Sequence, residues 1–151
     1  MQAALYAYLA GVMDSEGTIR ITQEKLSRHP NWNPRYNGAV SMGMASKEII
    51  LLFQKTFTPN ANIRIERVPN RKIIYRWGTS GSNIVPEILK KLLPYLIEKK
   101  KQAELVIMFC EGKKTKGFQR SNYLPKKEIR WREDLYQKVR KFNATGAAAT
   151  K

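Results

Sequence analysis

The sequence predicts an α+β domain. Four short stretches alternate polar and apolar residues, and stretches of helical period lie before, between and after them. The resulting order is helix, strand, strand, helix, strand, strand, helices. It implies a four-stranded, mainly antiparallel sheet with helices on one face. The 151 residues suffice for one such domain, and an apolar fraction of 42% fits a globular protein with a real core. We place the domain over residues 1–142 and expect 143–151, small and polar, to form a flexible tail.

Taken in order, the run from Ala3 is rich in helix formers and free of proline up to Gly17, which supplies the stop. Thr18 to Glu24 alternates as a half-buried strand, with Ile19 and Ile21 inward. Residues 26–34, with Pro30, Asn31, Asn33 and Pro34, read as a loop. A second strand covers Arg35 to Met44, pointing Val40, Met42 and Met44 at the core. Ser46 caps a helix whose apolar stripe is Ile49, Ile50, Leu52 and Phe53. Thr58-Pro59-Asn60 breaks the chain. Asn62 to Arg67 and Lys72 to Trp77 form two more strands, joined by a turn at Pro69-Asn70. Gly78 to Gly81 reads as a loop, Ser82 to Leu93 as a helix, and Pro94 opens another helix from Tyr95 to Phe109. Residues 112–125 look irregular, and Lys126 to Phe142 forms a final helix.

The net charge is +16. Such an excess calls for an anionic partner, and nucleic acid comes first, because neutralised phosphates release counterions. A membrane surface would need a basic amphipathic helix with large exposed apolar residues, whereas here the basic residues are spread over strands, loops and helices. No apolar run reaches spanning length, and the opening residues do not read as a signal peptide. The single cysteine, Cys110, forms no intrachain disulfide, and one histidine, His29, is too few for a zinc site.

The stretch around which the chain is organised is Leu9-Ala10-Gly11-Val12-Met13-Asp14-Ser15-Glu16-Gly17. Ala3, Ala7 and Gly11 recur every fourth residue, so one helical face is lined by small side chains that let another backbone come close. The stretch ends on two acids, although a helix C-terminus favours cations. A broken local rule of this kind often marks a functional site. Hard oxygen ligands in a basic protein point to Mg2+. On composition alone, a short helix with a solvated acidic end accounts for these residues equally.

This stretch resembles the motif of the LAGLIDADG homing endonucleases, matching at Leu9, Ala10, Gly11, Asp14 and Gly17, with Glu16 in place of the usual second Asp. A second stretch, Leu93-Pro94-Tyr95-Leu96-Ile97-Glu98-Lys99-Lys100-Lys101-Gln102-Ala103, is similar to the segment that supplies that family's active-site lysine. The resemblance covers residues 3 to 110 in motif and element order. With one motif, the chain resembles the homodimeric, chloroplast-type group.

The resemblance implies an αββαββα fold and a site-specific, Mg2+-dependent double-strand DNA endonuclease. It would act on a long, near-palindromic site and leave 3′ overhangs. Its partners would be double-stranded DNA and a second copy of itself, with no membrane. Mn2+ is expected to substitute for Mg2+, and Ca2+ to bind without supporting cleavage. By position, Glu16 and Lys99 are the catalytic residues. Glu16 and the Ser15 carbonyl are metal ligands, and Asp14, Ser46 and Lys47 support the site. The motif helices pair through Ala3, Ala7, Ala10 and Gly11.

The outward sheet face would contact DNA. Its first two strands offer Arg20, Thr22, Glu24, Arg35, Asn37 and Ser41. Its second pair offers Arg64, Glu66, Lys72, Ile74 and Arg76. A solvated charged face is the plainer account of the same alternation. One departure stands out: Met44 and Glu48 occupy positions where the family often has polar residues that order water at the scissile phosphate. The rival reading is therefore a catalytically weak or inactive DNA- or RNA-binding protein, such as an intron maturase or a regulator. A basic ribosome-associated protein is a third, but it leaves the acidic helix end unexplained.

Overall fold

Helix α1 (Gln2–Glu16) runs directly into strand β1 (Gly17–Glu24). Gly17 permits this junction, because a Cβ there would lie 2.9 Å from the Met13 carbonyl oxygen. The helix stops at the expected glycine through close packing; the Gly17 backbone does not have a positive φ. The computed structural model of the chain describes residues 2–25, 27–29, 31–113 and 124–149, the stretch 145–149 by its backbone alone.

The sheet is α+β architecture as expected, with strand order β1-β2-β4-β3 and every pairing antiparallel. β2 is Arg35–Met44, β3 is Arg64–Glu66 and β4 is Ile74–Ser80. The register sets Gly17 opposite Met42 and Glu24 opposite Arg35; across the next ladder Ser41 faces Gly78 and Gly43 faces Arg76. Strand alternation then sorts the side chains. Ile19, Ile21, Val40, Met42 and Trp77 point inward and are at most 3% exposed.

The helices cover that inner face. In α2 (Lys47–Phe57) the Ser46 hydroxyl accepts from the Ile49 N–H, as the capping pattern requires. Phe53 and Phe57 bring their rings to 5.2 and 6.1 Å from the Trp77 ring. The Trp77 indole N–H donates to the Thr58 hydroxyl at 2.9 Å, so the residue that ends α2 also satisfies the one polar atom of this aromatic cluster. α3 (Ile84–Leu92) buries Val85, Ile88, Leu89 and Leu92; α4 (Lys100–Gly112) buries Ala103, Val106, Phe109 and Cys110. α4 lies so close to β2 that a Cβ on Gly38 would meet Cys110 Sγ at 2.6 Å.

Helix α5 (Lys126–Ala149) is docked by buried and half-buried polar groups. Glu133 accepts from Tyr36 and Gln23 on the sheet. Asn143 donates to the Ile19 carbonyl at 3.1 Å and accepts from Gln102. Glu128 and Arg132, both at 7% exposure, pair within the helix.

Several boundaries depart from expectation. Gly78, Thr79 and Ser80 belong to β4 rather than to a loop. Glycine at 78 is demanded by the sheet itself, since a Cβ would come within 3.2 Å of Ser41 Cβ and of the Val40 carbonyl. Pro94 does not open a long helix; it lies in a short 3-10 turn, Leu93–Tyr95, and α4 begins only at Lys100. β3 is shorter than expected, and Lys72 precedes β4. Helical backbone continues beyond Phe142 to Ala149, with Asn143 held on the sheet where a loose tail was expected to begin. Most of the irregular stretch, 114–123, lies outside the described residues.

Candidate functional site

The end of α1 gathers the motif acids and the second motif's lysine. The Asp14 carboxylate accepts from the Ile97 N–H at 2.8 Å and from the Lys99 N–H at 3.0 Å. The Lys99 ammonium donates to the Asp14 backbone carbonyl. A cation on the last turn of a helix is the arrangement its dipole favours, so Lys99 offsets the conflict set up by two acids there. These bonds span 85 positions of sequence. They also explain why residues 96–99 are not helical: Asp14 takes up N–H groups in the turn that precedes α4.

Glu16 has the opposite surroundings. It is exposed and makes no hydrogen bond or ion pair among the described residues. The Ser15 hydroxyl turns back to the Gly11 and Val12 carbonyls. The Ser15 carbonyl is one of the last four of α1, which have no intrahelical donor. Among the described residues no three acidic, histidine or cysteine side chains converge on a metal position. At this helix end the described residues thus offer one unpartnered carboxylate and a helix-end carbonyl, both hard oxygen donors. Mg2+ is commonly held by one or two carboxylates together with waters and substrate phosphates, so this set fits part of its shell.

The two supporting residues expected from α2 do not join this group. Ser46 is engaged as the α2 cap and also donates to Glu48; Lys47 lies 5.9 Å over the Tyr75 ring. Met44, half-buried, packs against the core.

The outer sheet face is concave and polar. Arg20, Thr22, Glu24, Arg35, Asn37, Ser41, Arg64 and Arg76 all line it, as the alternation anticipated. Register brings Arg76 beside Arg64, and a Cβ on Gly43 would lie 2.6 Å from Arg76 Nη1, so the guanidinium lies across β2. Glu66 pairs with Arg76 at 2.6 Å in an exposed salt bridge. Lys72 and Ile74 do not line the concavity; Ile74 faces Glu66 at the far end of the β3–β4 pair.

Sequence reading missed Thr18, Ser80, Ser82 and Lys113, which do line it. Reading the alternation through Gly78 would have found Ser80; no local signal marks Lys113. The Lys113 amine donates to the Tyr36 carbonyl at 2.6 Å and to Ser82, and burial, assisted by Arg132, pushes its pKa down to about 8.

The free face of α1 carries Ala3, Ala7 and Gly11, all exposed, and nothing lies within 4 Å of where a Gly11 Cβ would stand. Tyr8, 49% exposed, is on the same helix. Ala10 is a correction: it is 0% exposed, on the core face with Leu9 and Met13, and presents nothing to a second chain.

No protein-family model matches this sequence, and neither does a curated protein. Solved structures do match. One is the homing endonuclease I-CvuI in complex with its target in the presence of Ca, at TM-score 0.71 and 20% identity, covering 93% of this chain and 83% of that one. Another is the LAGLIDADG homing endonuclease I-SmaMI bound to cleaved DNA, at TM-score 0.63 and 17% identity, covering 87% of this chain and 42% of that one. This chain has the LAGLIDADG homing-endonuclease fold. The archaeal intron-encoded homing endonuclease I-Vdi141I, complexed with DNA, shares the LAGLIDADG fold at TM-score 0.68 and 15% identity, covering 91% of this chain and 82% of that one.

Proposed function

We propose that the chain is a site-specific, divalent-metal-dependent DNA endonuclease that acts as a homodimer on a near-palindromic duplex. The observation that carries this reading is the docking of Lys99 on Asp14 at the same end of α1 that bears the unpartnered, exposed Glu16. An arginine-bearing concave sheet adds the nucleic-acid surface. The three neighbours of the same fold are complexes with DNA, one of them with cleaved DNA.

Each residue then has a task. Glu16 and the Ser15 carbonyl hold the cation, which when bound lowers the pKa of water and stabilises the leaving oxygen. Lys99, fixed by its bond to the Asp14 carbonyl, offers positive charge where the phosphate gains negative charge. Asp14 acts through Lys99, positioning the turn that carries it. Arg20, Arg64 and Arg76 reach into the major groove, where an arginine reading guanine contributes about 1–3 kcal/mol of discrimination. Lys72 and Ile74, outside the concavity, are left without a direct part.

One chain has one such carboxylate, and cutting both strands takes two. The exposed Ala3, Ala7 and Gly11 face lets two α1 helices approach backbone to backbone about a two-fold axis, with the same patch serving both partners. Mg2+ is the cation we expect, with Mn2+ as a substitute. One observation favours the rival, a binder without nuclease activity such as a maturase or regulator. Ser46, which could have ordered water, is engaged as a helix cap, and Met44 and Glu48 stand nearby in sequence.

A single experiment separates them. The protein is incubated with a random-sequence plasmid library, in Mg2+ or in EDTA, alongside the Gly11→Leu variant. Linear product in Mg2+ alone is the expected result for the parent. Gly11→Leu, whose added side chain meets open space within one chain, should fold, sediment as a monomer and make no linear product. Binding without any cut strand in Mg2+ or Mn2+ would establish the rival.

A further inference from the structure

A small notch lies between the outer edge of β1 and α5. Arg20, Thr22 and Gln23 line it on the strand side, and Tyr136, Arg140 and Asn143 on the helix side. β1 is an end strand, so one row of its backbone N–H and C=O groups has no ladder partner. Ile19 belongs to that row, because its carbonyl accepts from Asn143 at 3.1 Å. In an antiparallel strand, residues two apart turn their backbone groups the same way, so the Ile21 N–H also faces outward; Ile21 lines the notch.

The charged groups that line the notch are both cations, Arg20 and Arg140. Both Asn143 amide atoms are engaged, one by Ile19 and one by Gln102. The Thr22 hydroxyl is turned to the Asn37 carbonyl. The nearby carboxylate, Glu133, is engaged by Tyr36, Gln23 and Gln137. Arg20 and Arg140 are exposed and make no hydrogen bond or ion pair among the described residues. Two guanidinium groups beside an edge N–H, with no carboxylate among the lining residues, suit an anion with several oxygens. Arg20 also lines the concave sheet face, so the notch opens onto the groove in which a duplex would lie.

We propose that this notch is a phosphodiester-binding site, in which Arg140 holds a backbone phosphate of the duplex that Arg20 enters. It rests on the DNA-binding reading above and extends the contact surface from the sheet to α5. Phosphate contacts are independent of sequence, so a mixed-sequence duplex is a sufficient probe.

The test compares the parent, Arg140→Gln and Lys55→Gln by duplex affinity across a chloride series. Lys55, exposed in the last turn of α2 on the opposite side of the sheet, controls for the loss of one charge. The slope of log affinity against log salt should fall by about 0.9 per protomer in Arg140→Gln and stay at the parental value in Lys55→Gln. Equal slopes in Arg140→Gln and parent overturn the notch while leaving the DNA reading intact; a parent without salt-dependent duplex binding overturns that reading itself. A second arm exchanges chloride for inorganic phosphate at constant ionic strength. If phosphate displaces the duplex from parent and Arg140→Gln equally, the site is tuned to the DNA backbone; selective displacement from the parent with unaltered salt slopes would make it a free-phosphate site and overturn the proposal.

Discussion

The end of α1 and the dock of α5 hold acids of the same kinds in opposite states. At α5, Glu133 accepts from Tyr36, Gln23 and Gln137, and Glu128 pairs with Arg132. At α1, Asp14 is as fully engaged as those, yet Glu16, two residues further on, has no partner among the described residues. The α5 acids hold a helix against a sheet, and Asp14 holds a turn against a helix. Glu16 holds nothing among the described residues. A carboxylate that contributes nothing to its own fold, at the end of a helix whose dipole disfavours it, is what remains available for a cation.

That contrast is broken most directly at Glu16. Glu16→Gln removes the charge at nearly constant shape. Cleavage should fall on the order of a thousandfold, since metal-assisted stabilisation supplies several kcal/mol. Thermal stability should move by no more than about 0.5 kcal/mol, as for other exposed, unpartnered sites. Duplex affinity measured in EDTA should hold or rise, because one negative charge near the phosphates is gone. A Glu16→Gln protein that cuts at the parental rate would remove Glu16 from the site.

Asp14→Ala is expected to show the complementary pattern. It strips the Ile97 and Lys99 N–H groups of their acceptor and frees the turn that carries Lys99. The loss of two charge-assisted bonds should destabilise the protein by about 2–3 kcal/mol, and activity should fall with it. Urea unfolding of the two variants side by side is decisive: Asp14→Ala must shift the midpoint and Glu16→Gln must not. If both shift alike, the two carboxylates are not in different states.

These differences mark where sequence was sufficient and where it was not. β1 and β2 were legible because period-two alternation is a local property, and the register between them follows from which face is buried. Ser46 and Thr58 were legible because caps and breaks are local too. Gly78 misled because glycine reads as a breaker, while the reason for it, Ser41 at 3.2 Å, sits on another strand. Pro94 misled because a proline can open a helix, but here the N–H groups that follow are claimed by Asp14 from 85 positions away. Ala10 misled because small residues on two sides of a helix look alike until its rotation is known. The placement of Glu16 and Lys99 came from resemblance in two short stretches; that Asp14 holds the turn carrying Lys99 against the end of α1 could be seen only in the fold.

The smallest expected effect sharpens the other half of the contrast, at α5. Hydrogen bonds from Gln137 and then Tyr36 hold the Glu133 carboxyl below its ordinary value of 4.5, and partial burial opposes them. A depressed carboxylate value means the unfolded chain binds the proton more readily. The stability this group contributes is therefore present above the ordinary carboxylate range and is lost as pH falls through the folded value. Glu133→Gln keeps an acceptor for Tyr36 but removes the charge, so near neutral pH it should lower stability by about 1 kcal/mol, a Tm shift of about 2–4 °C. As pH falls below 4.5 the parent should lose this advantage until the two melting curves converge. Cleavage at neutral pH should be unchanged, because Glu133 docks a helix and touches none of the residues at the end of α1. A constant gap between the curves at all pH values would mean that the α5 dock depends on the shape of Glu133 rather than on its charge.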